Sequence, residues 1–179
     1  LIRSFPATVP ADRAYVVDDA ERLVNEGYSY RGLAAYGDDV VHLDWDQAVD
    51  LPDLKRFVRR CQRDPKRARV VPVKVTAEAR PGLPNRWVWN CRVYTPGGGL
   101  RYAVETDHAA DLFGFGMVYL PAHALEEFEE EFRDGLDDGS VRFDDTGFSG
   151  WYTRTHGPAV IDWDIPCVHL HYSISGVVR

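Results

Sequence analysis

Residues 40–46 read Val-Val-His-Leu-Asp-Trp-Asp. The apolar run predicts a short strand. Side chains alternate along a strand, so Asp44 and Asp46 project to one side and Trp45 to the other. Two carboxylates that close repel each other unless a proton or a cation sits between them. Mg²⁺ or Mn²⁺ suits such a pair, because a hard ion takes oxygen ligands and keeps positions free for phosphate oxygens. The pair also follows the strand's carboxyl end, where open α/β sheets place their ligands. A local reading stands beside this one: one aspartate caps the next turn and both are solvated.

Two more stretches carry acids. Phe143-Asp144-Asp145-Thr146-Gly147-Phe148-Ser149-Gly150-Trp151-Tyr152 sets Asp144 and Asp145 among aromatics. Partial desolvation there raises a carboxylate's pKa and makes it a better general base, whereas the local reading is an Asx-type turn beside a core cluster. Asp162-Trp163-Asp164 is followed by Cys167-Val168-His169-Leu170-His171-Tyr172. His169 and His171 share strand parity, and one of them adds nitrogen to a carboxylate-bound metal if the chain brings it beside Asp46. A zinc site is not indicated, since no partner ligands stand at helical or CxxC spacing.

These residues need elements to position them. Tyr15-Val16-Val17 reads as a strand and residues 19–26 as a helix stopped by Gly27. A second helix begins at the N-cap candidate Asp50. Its apolar stripe is Leu51, Leu54, Phe57, Val58 and Cys61, and Asp64-Pro65 ends it. Residues 70–75 and 87–94 read as strands, with Gly97-Gly98-Gly99 as a loop tip rather than a phosphate loop. Residues 113–120 form a buried strand interrupted by Gly114 and Gly116. Pro121 opens a helix ending at Gly135, a polar loop runs to about residue 150, and residues 160–172 are extended. Strands alternating with helices predict an α/β class.

The 179 residues fit one domain. A formal charge of −7 argues against a nucleic-acid or anionic-membrane binder. Three scattered cysteines, Cys61, Cys91 and Cys167, suggest free thiols in a reducing compartment. No stretch approaches the roughly 20 apolar residues of a membrane span, and no apolar signal opens the chain, so the expected location is cytoplasmic.

In this order, the acidic groups resemble those of glycosyltransferases with the GT-A fold, most similar to family 2-like enzymes, over about residues 14–172. Tyr15-Val16-Val17-Asp18-Asp19 is similar to the first nucleotide-contacting strand. Asn25-Glu26-Gly27 and Ser29-Tyr30-Arg31-Gly32-Leu33-Ala34-Ala35 resemble the segment leading to the metal motif, Asp44-Trp45-Asp46. Residues 113–119 resemble the acceptor-half strand, Asp144-Asp145 the base motif, and His169 or His171 the late metal-binding histidine.

The resemblance implies a GT-A-like mixed sheet flanked by helices over residues 1–179, with residues 1–50 as donor half and 51–179 as metal and acceptor half. It implies a nucleotide-sugar donor, an acceptor hydroxyl, Mn²⁺ or Mg²⁺, and inversion at the anomeric carbon. Asp46 and Asp44 would hold the metal with His169 or His171. Asp145 or Asp144 would act as base, Asp18 or Asp19 would touch the nucleotide, Arg31 phosphate, and Trp151 and Tyr152 sugar faces. Asp18 stands only 28 residues before Asp46. The donor half is therefore short, which leaves room for a partner or a second copy of the chain to complete it. Two alternatives use the same residues: a metal-dependent phosphohydrolase, and a non-catalytic GT-A-like domain that binds carbohydrate or acts as a scaffold.

Overall fold

A computed structural model describes residues 2–4, 37–44, 47–76, 87–141, 143–169, 171–173 and 176–178; for 2–4, 76 and beyond 169 only the backbone is described. In chain order the first elements are β1 (Ile2–Ser4), β2 (Val40–Leu43), β3 (Gln47–Ala48), α1 (Leu51–Arg63), β4 (Arg69–Val70), β5 (Lys74–Thr76) and β6 (Trp87–Trp89). Next come β7 (Cys91–Tyr94), β8 (Leu100–Tyr102), β9 (Ala109–Ala110), β10 (Leu112–Phe113) and β11 (Met117–Leu120). The last are α2 (Ala122–Glu131), α3 (Arg133–Asp138), α4 (Asp145–His156), β12 (Ala159–Ile161), β13 (Val168–His169), β14 (His171–Ser173) and β15 (Gly176–Val178).

The protein is a mixed α/β fold. Its main sheet has six strands in the order β1-β2-β11-β4-β12-β9. β1 is parallel to β2 and β4 to β12, while β11 runs antiparallel to both β2 and β4. Four strands therefore share one direction, and β11 is inserted between two of them in reverse. The carboxyl ends of β2 and β4 meet the start of β11, with Leu43 opposite Met117 and Val70 opposite Val118.

Both faces of this sheet are covered, which is why its central strand β11 (Met117–Leu120) is apolar and buried along its whole length rather than alternating. Val40, Val70, Val118 and Leu120 pack against Leu125, Phe128, Phe148 and Tyr152 from α2 and α4. Val41, Val71, Met117 and Tyr119 pack against Phe57 and Cys61 of α1. Among the described residues no helix is long and apolar enough to cross a membrane.

Helix α1 matches its expected span, and the Asp64 N–H closes it on the carbonyls of Arg60 and Cys61. Leu51, expected on the buried stripe, is instead exposed. The expected strand over 70–75 breaks after Val70 and resumes at Lys74, and the one over 87–94 breaks at Asn90. The helix opened by Pro121 gives way at Phe132 to α3, which runs through Gly135 and ends at Gly139 in the left-handed region. Gly135 is needed for close packing and is not a stop: a Cβ there would lie 2.6 Å from Val141 Cγ2.

Helix α4 replaces the last six residues, 145–150, of the expected polar loop, and α3 its start. The Gly-rich start of α4 has poor intrinsic propensity. Asp144 caps it by accepting a 2.7 Å hydrogen bond from the Gly147 N–H, and burial of Phe148, Trp151 and Tyr152 supplies the rest.

Asp162 and Asp164 also have structural work. Asp162 is buried between Arg60 and Arg69, at 2.8 Å from each, and Asp164 pairs with Arg60 at 2.6 Å. This cluster fastens the end of β12 to α1 and β4.

Candidate functional site

Strand parity fixes the direction of the first carboxylate. Val40, His42 and Asp44 alternate onto the sheet face covered by α4, while Val41 and Leu43 turn toward α1. His42, buried beneath the site, donates from Nε2 to Asp44 Oδ1 at 2.7 Å. The Asp44 N–H donates to the Gly116 carbonyl at 2.9 Å, and the Gln47 N–H returns to the Asp44 carbonyl at 3.0 Å. Asp44 is thus held by backbone and side chain at the mouth of β2, with 29% of its side chain exposed.

The second carboxylate arrives from the helix. α4 begins beside Gly114 because Phe148 is buried in the core and the Thr153 hydroxyl donates to the Asp111 carbonyl at 2.7 Å. Asp145 Oδ1 accepts from the Thr146 N–H at 2.7 Å. Its Oδ2 lies 3.4 Å from where a Gly114 side chain would begin. Burial foremost, and the charges of Asp144 and Asp44, push the Asp145 carboxyl above its ordinary range, against the hydrogen bonds from Thr146. An acid so poised is the kind used as a general base near neutral pH.

Asn90, which the sequence reading passed over, forms a third wall. It exchanges two hydrogen bonds with the Val73 backbone: its N–H donates to Val73 O at 3.0 Å, and its Oδ1 accepts from Val73 N at 2.9 Å. Its carbonyl accepts from the Gly114 N–H at 2.9 Å. Its Nδ2 reaches to 3.0 Å from the Cβ position of Gly114 and 3.5 Å from that of Gly116, where Gln47 Nε2 also stands, at 3.4 Å. One signal was available: a lone Asn within an aromatic, branched run is disfavoured in a strand and marks a break.

The late histidines separate. His169 lies in β13, which pairs antiparallel with β3 and sets it opposite Gln47, directly after the Asp44–Asp46 stretch. His171 lies in β14, which pairs with β15. The two therefore enter different ladders, and of His171 only the backbone is described.

Trp151 and Tyr152, expected to stack on sugar faces, are core residues, 3% and 1% exposed. The Trp151 indole N–H donates to Glu131 Oε2 at 2.7 Å, and the Tyr152 hydroxyl accepts from the buried Ala68 N–H at 2.8 Å. Apolar spacing along α4 turns both rings inward, so neither offers a face to ligand. Asp18, Asp19, Arg31 and Asp46 lie outside the described residues, as do the strand and helix expected over 14–26.

Among the described residues no three His, Cys, Asp or Glu side chains gather closely enough to hold a metal ion. At the carboxyl ends of β2 and β4, Asn90 and Asp145 pack closely against Gly114, Gln47 and Asn90 stand beside Gly116, and Asp44 lies near enough for its charge to bear on Asp145. No family model matches the chain, and no curated protein matches it. Among solved structures, the crystal structure of A197 from STIV aligns with 87% of this chain and 68% of its own at 13% identity, with a TM-score of 0.42.

Proposed function

We propose that this protein is a metal-dependent glycosyltransferase with a GT-A-like fold, moving a sugar from a nucleotide-diphosphate donor to an acceptor hydroxyl. The observation that supports the reading is that Asp44, at the end of β2, and Asp145, at the start of α4, come from stretches a hundred residues apart in the chain yet lie near enough for the charge of Asp44 to raise the Asp145 carboxyl. The β3–β13 pairing adds His169 to the same end of the sheet.

Carboxylate oxygens and an imidazole are a donor set that suits Mn²⁺ or Mg²⁺. Asp44 brings one carboxylate to the end of β2, with 29% of its side chain exposed. Asp44 and Asp46, with His169, would hold the ion, which when bound neutralises charge developing on the departing diphosphate. Asp145 takes the proton of the acceptor hydroxyl. The acceptor oxygen then bonds to the anomeric carbon as the bond from that carbon to the diphosphate oxygen breaks, its electron pair leaving with the nucleoside diphosphate. Burial of Asp145 raises its affinity for that proton. His42 keeps Asp44 in place and has no part in the transfer.

Thermal melting with UDP, GDP and dTDP, each with and without Mn²⁺, tests the reading. A metal-dependent rise with at least one nucleotide, lost in Asp44→Asn and in Asp46→Asn, is expected. No such rise with any nucleotide overturns it. Product analysis with the matching sugar nucleotide separates the alternatives. Release of a nucleoside monophosphate and a sugar phosphate would mark a phosphohydrolase, and glycoside binding without nucleotide or metal would mark a binding module.

A further inference from the structure

Charge is segregated along this chain. Residues 55–69 hold eight Lys and Arg side chains against one acid, Asp64, a net of +7 in a chain whose total is −7. Most of them belong to α1, where they divide by face. Arg56 and Arg60 are paired, Arg56 with Asp53 at 2.9 Å and Arg60 with Asp162 at 2.8 Å and Asp164 at 2.6 Å. Lys55, Arg59 and Arg63 stand four residues apart and so share one side of the helix, opposite Phe57 and Cys61, which are buried against the sheet. All three are exposed, as is Lys66 in the turn that follows, and none of the four has a hydrogen bond or ion pair among the described residues. Like charges one turn apart destabilise a helix, and the helix dipole favours only Arg63, in the last turn. The chain has 28 acids with which to neutralise such a row. Left uncompensated, the row is a cost to the fold, unlike the paired guanidinium groups beside it.

We propose that this face of α1 docks the phosphate backbone of a nucleic-acid duplex. From Lys55 to Arg63 the row covers about 12 Å of helix axis, over which one strand of a duplex presents about four phosphates. No aromatic is exposed on α1 to stack on an unpaired base. Its apolar side is committed to the sheet, which leaves Leu51 as its one large exposed apolar side chain and little to enter a bilayer. Contacts from such a row fix position without reading sequence. The exposed acids Glu126, Glu127, Glu130 and Asp134 stand on α2 and α3, across the sheet from α1. Screening at physiological ionic strength acts over about 8 Å, less than the roughly 10 Å width of one helix, so that far face hardly acts on an anion lying along α1. A total of −7 argues against an anionic partner only where charge is evenly spread, and here the two signs occupy opposite faces.

This docking face does not depend on the transferase reading, since α1 contributes none of the residues proposed to hold metal or to act as base. Fluorescence anisotropy of a labelled DNA duplex of about 20 base pairs, titrated with the full chain at about 50 to 200 mM salt, tests it. Binding is expected, with log K falling against log salt at a slope of about −3.6, or about −0.9 for each of four cations. In the double variant Arg59→Gln, Arg63→Gln the slope should flatten by about two and the affinity at the lowest salt should fall at least about tenfold. Lys55→Gln alone should flatten it by about one. A duplex of unrelated sequence should bind equally well. Arg133→Gln removes an exposed cation from α3, on the other face, and should change neither quantity. A cooperative melt of each variant establishes that it is folded. No binding at the lowest salt, a folded double variant that binds like the parent, or an equal loss in Arg133→Gln overturns the proposal. Co-sedimentation with phosphatidylserine vesicles that is lost in the double variant, where the duplex gives no binding, also overturns it and makes the face a membrane contact.

Discussion

Asp145 illustrates how one side chain can be costly to the fold and useful to the site. Its carboxyl is raised in the folded state, chiefly by burial. A raised acid opposes folding when ionised. Its penalty is present above the folded pKa and disappears as pH falls through that value toward the unfolded one. Asp145→Asn keeps an oxygen for the Thr146 N–H and removes the charge. In metal-free buffer the variant should therefore melt at a higher temperature than the parent at pH 7. The difference should shrink as pH drops to the ordinary aspartate range, about 4, and on the proposed transferase reading sugar transfer should be lost throughout. Equal melting temperatures at pH 7 would show that the buried charge is not a liability. Tyr152 is the opposite case at this scale. Its hydroxyl satisfies the buried Ala68 N–H, so Tyr152→Phe should cost about 1–3 kcal/mol in urea unfolding. On the proposed transferase reading, the activity of the folded variant should stay unchanged, because the ring belongs to the core.

Among the elements, α4 matters most to the site, because it delivers Asp144 and Asp145 to the sheet edge. Asp144→Ala removes the acceptor for the Gly147 N–H and should destabilise the protein by about 1 kcal/mol, measurable by urea titration. On the proposed transferase reading, fraying of that first turn should also reduce transfer more than the lost stability accounts for, since Asp145 is the next residue. Asp144→Ser restores a cap and should recover most of both. Strand β11 has the complementary role. Running opposite to β2 and β4, it begins where they end, so the glycines that precede it form the floor between two strand mouths.

At the level of the whole molecule, the end of β12 is held by charge. Asp162 is 4% exposed and lies between Arg69 and Arg60, whose side chains are 13% and 29% exposed. Removing it by Asp162→Ala strands a largely buried guanidinium and should cost about 3 kcal/mol, the lower part of the range for a broken buried pair because Arg60 still reaches water. Equilibrium unfolding in urea measures this, and a loss below ~1 kcal/mol would place the cluster with ordinary surface pairs.

The α/β class, the span of α1, the hairpin tip at Gly97–Gly99 and the position of Asp44 at a strand mouth were legible from sequence, because each depends on residues close together in the chain. Periodicity, caps and breakers act locally, so local text records them. Helix α4 was not legible: a Gly-rich, Asp-rich stretch reads as loop until the core claims Phe148, Trp151 and Tyr152. The same burial turns two supposed sugar platforms into core, and the pairing with Arg60 and Arg69 turns Asp162 into a fastener. That the charge of Asp44 reaches Asp145, and that Asn90 and Asp145 both pack against Gly114, follows from how β11 reverses between β2 and β4 and where α4 then docks. Those distances are set by packing between segments remote in sequence, and only the folded chain determines them.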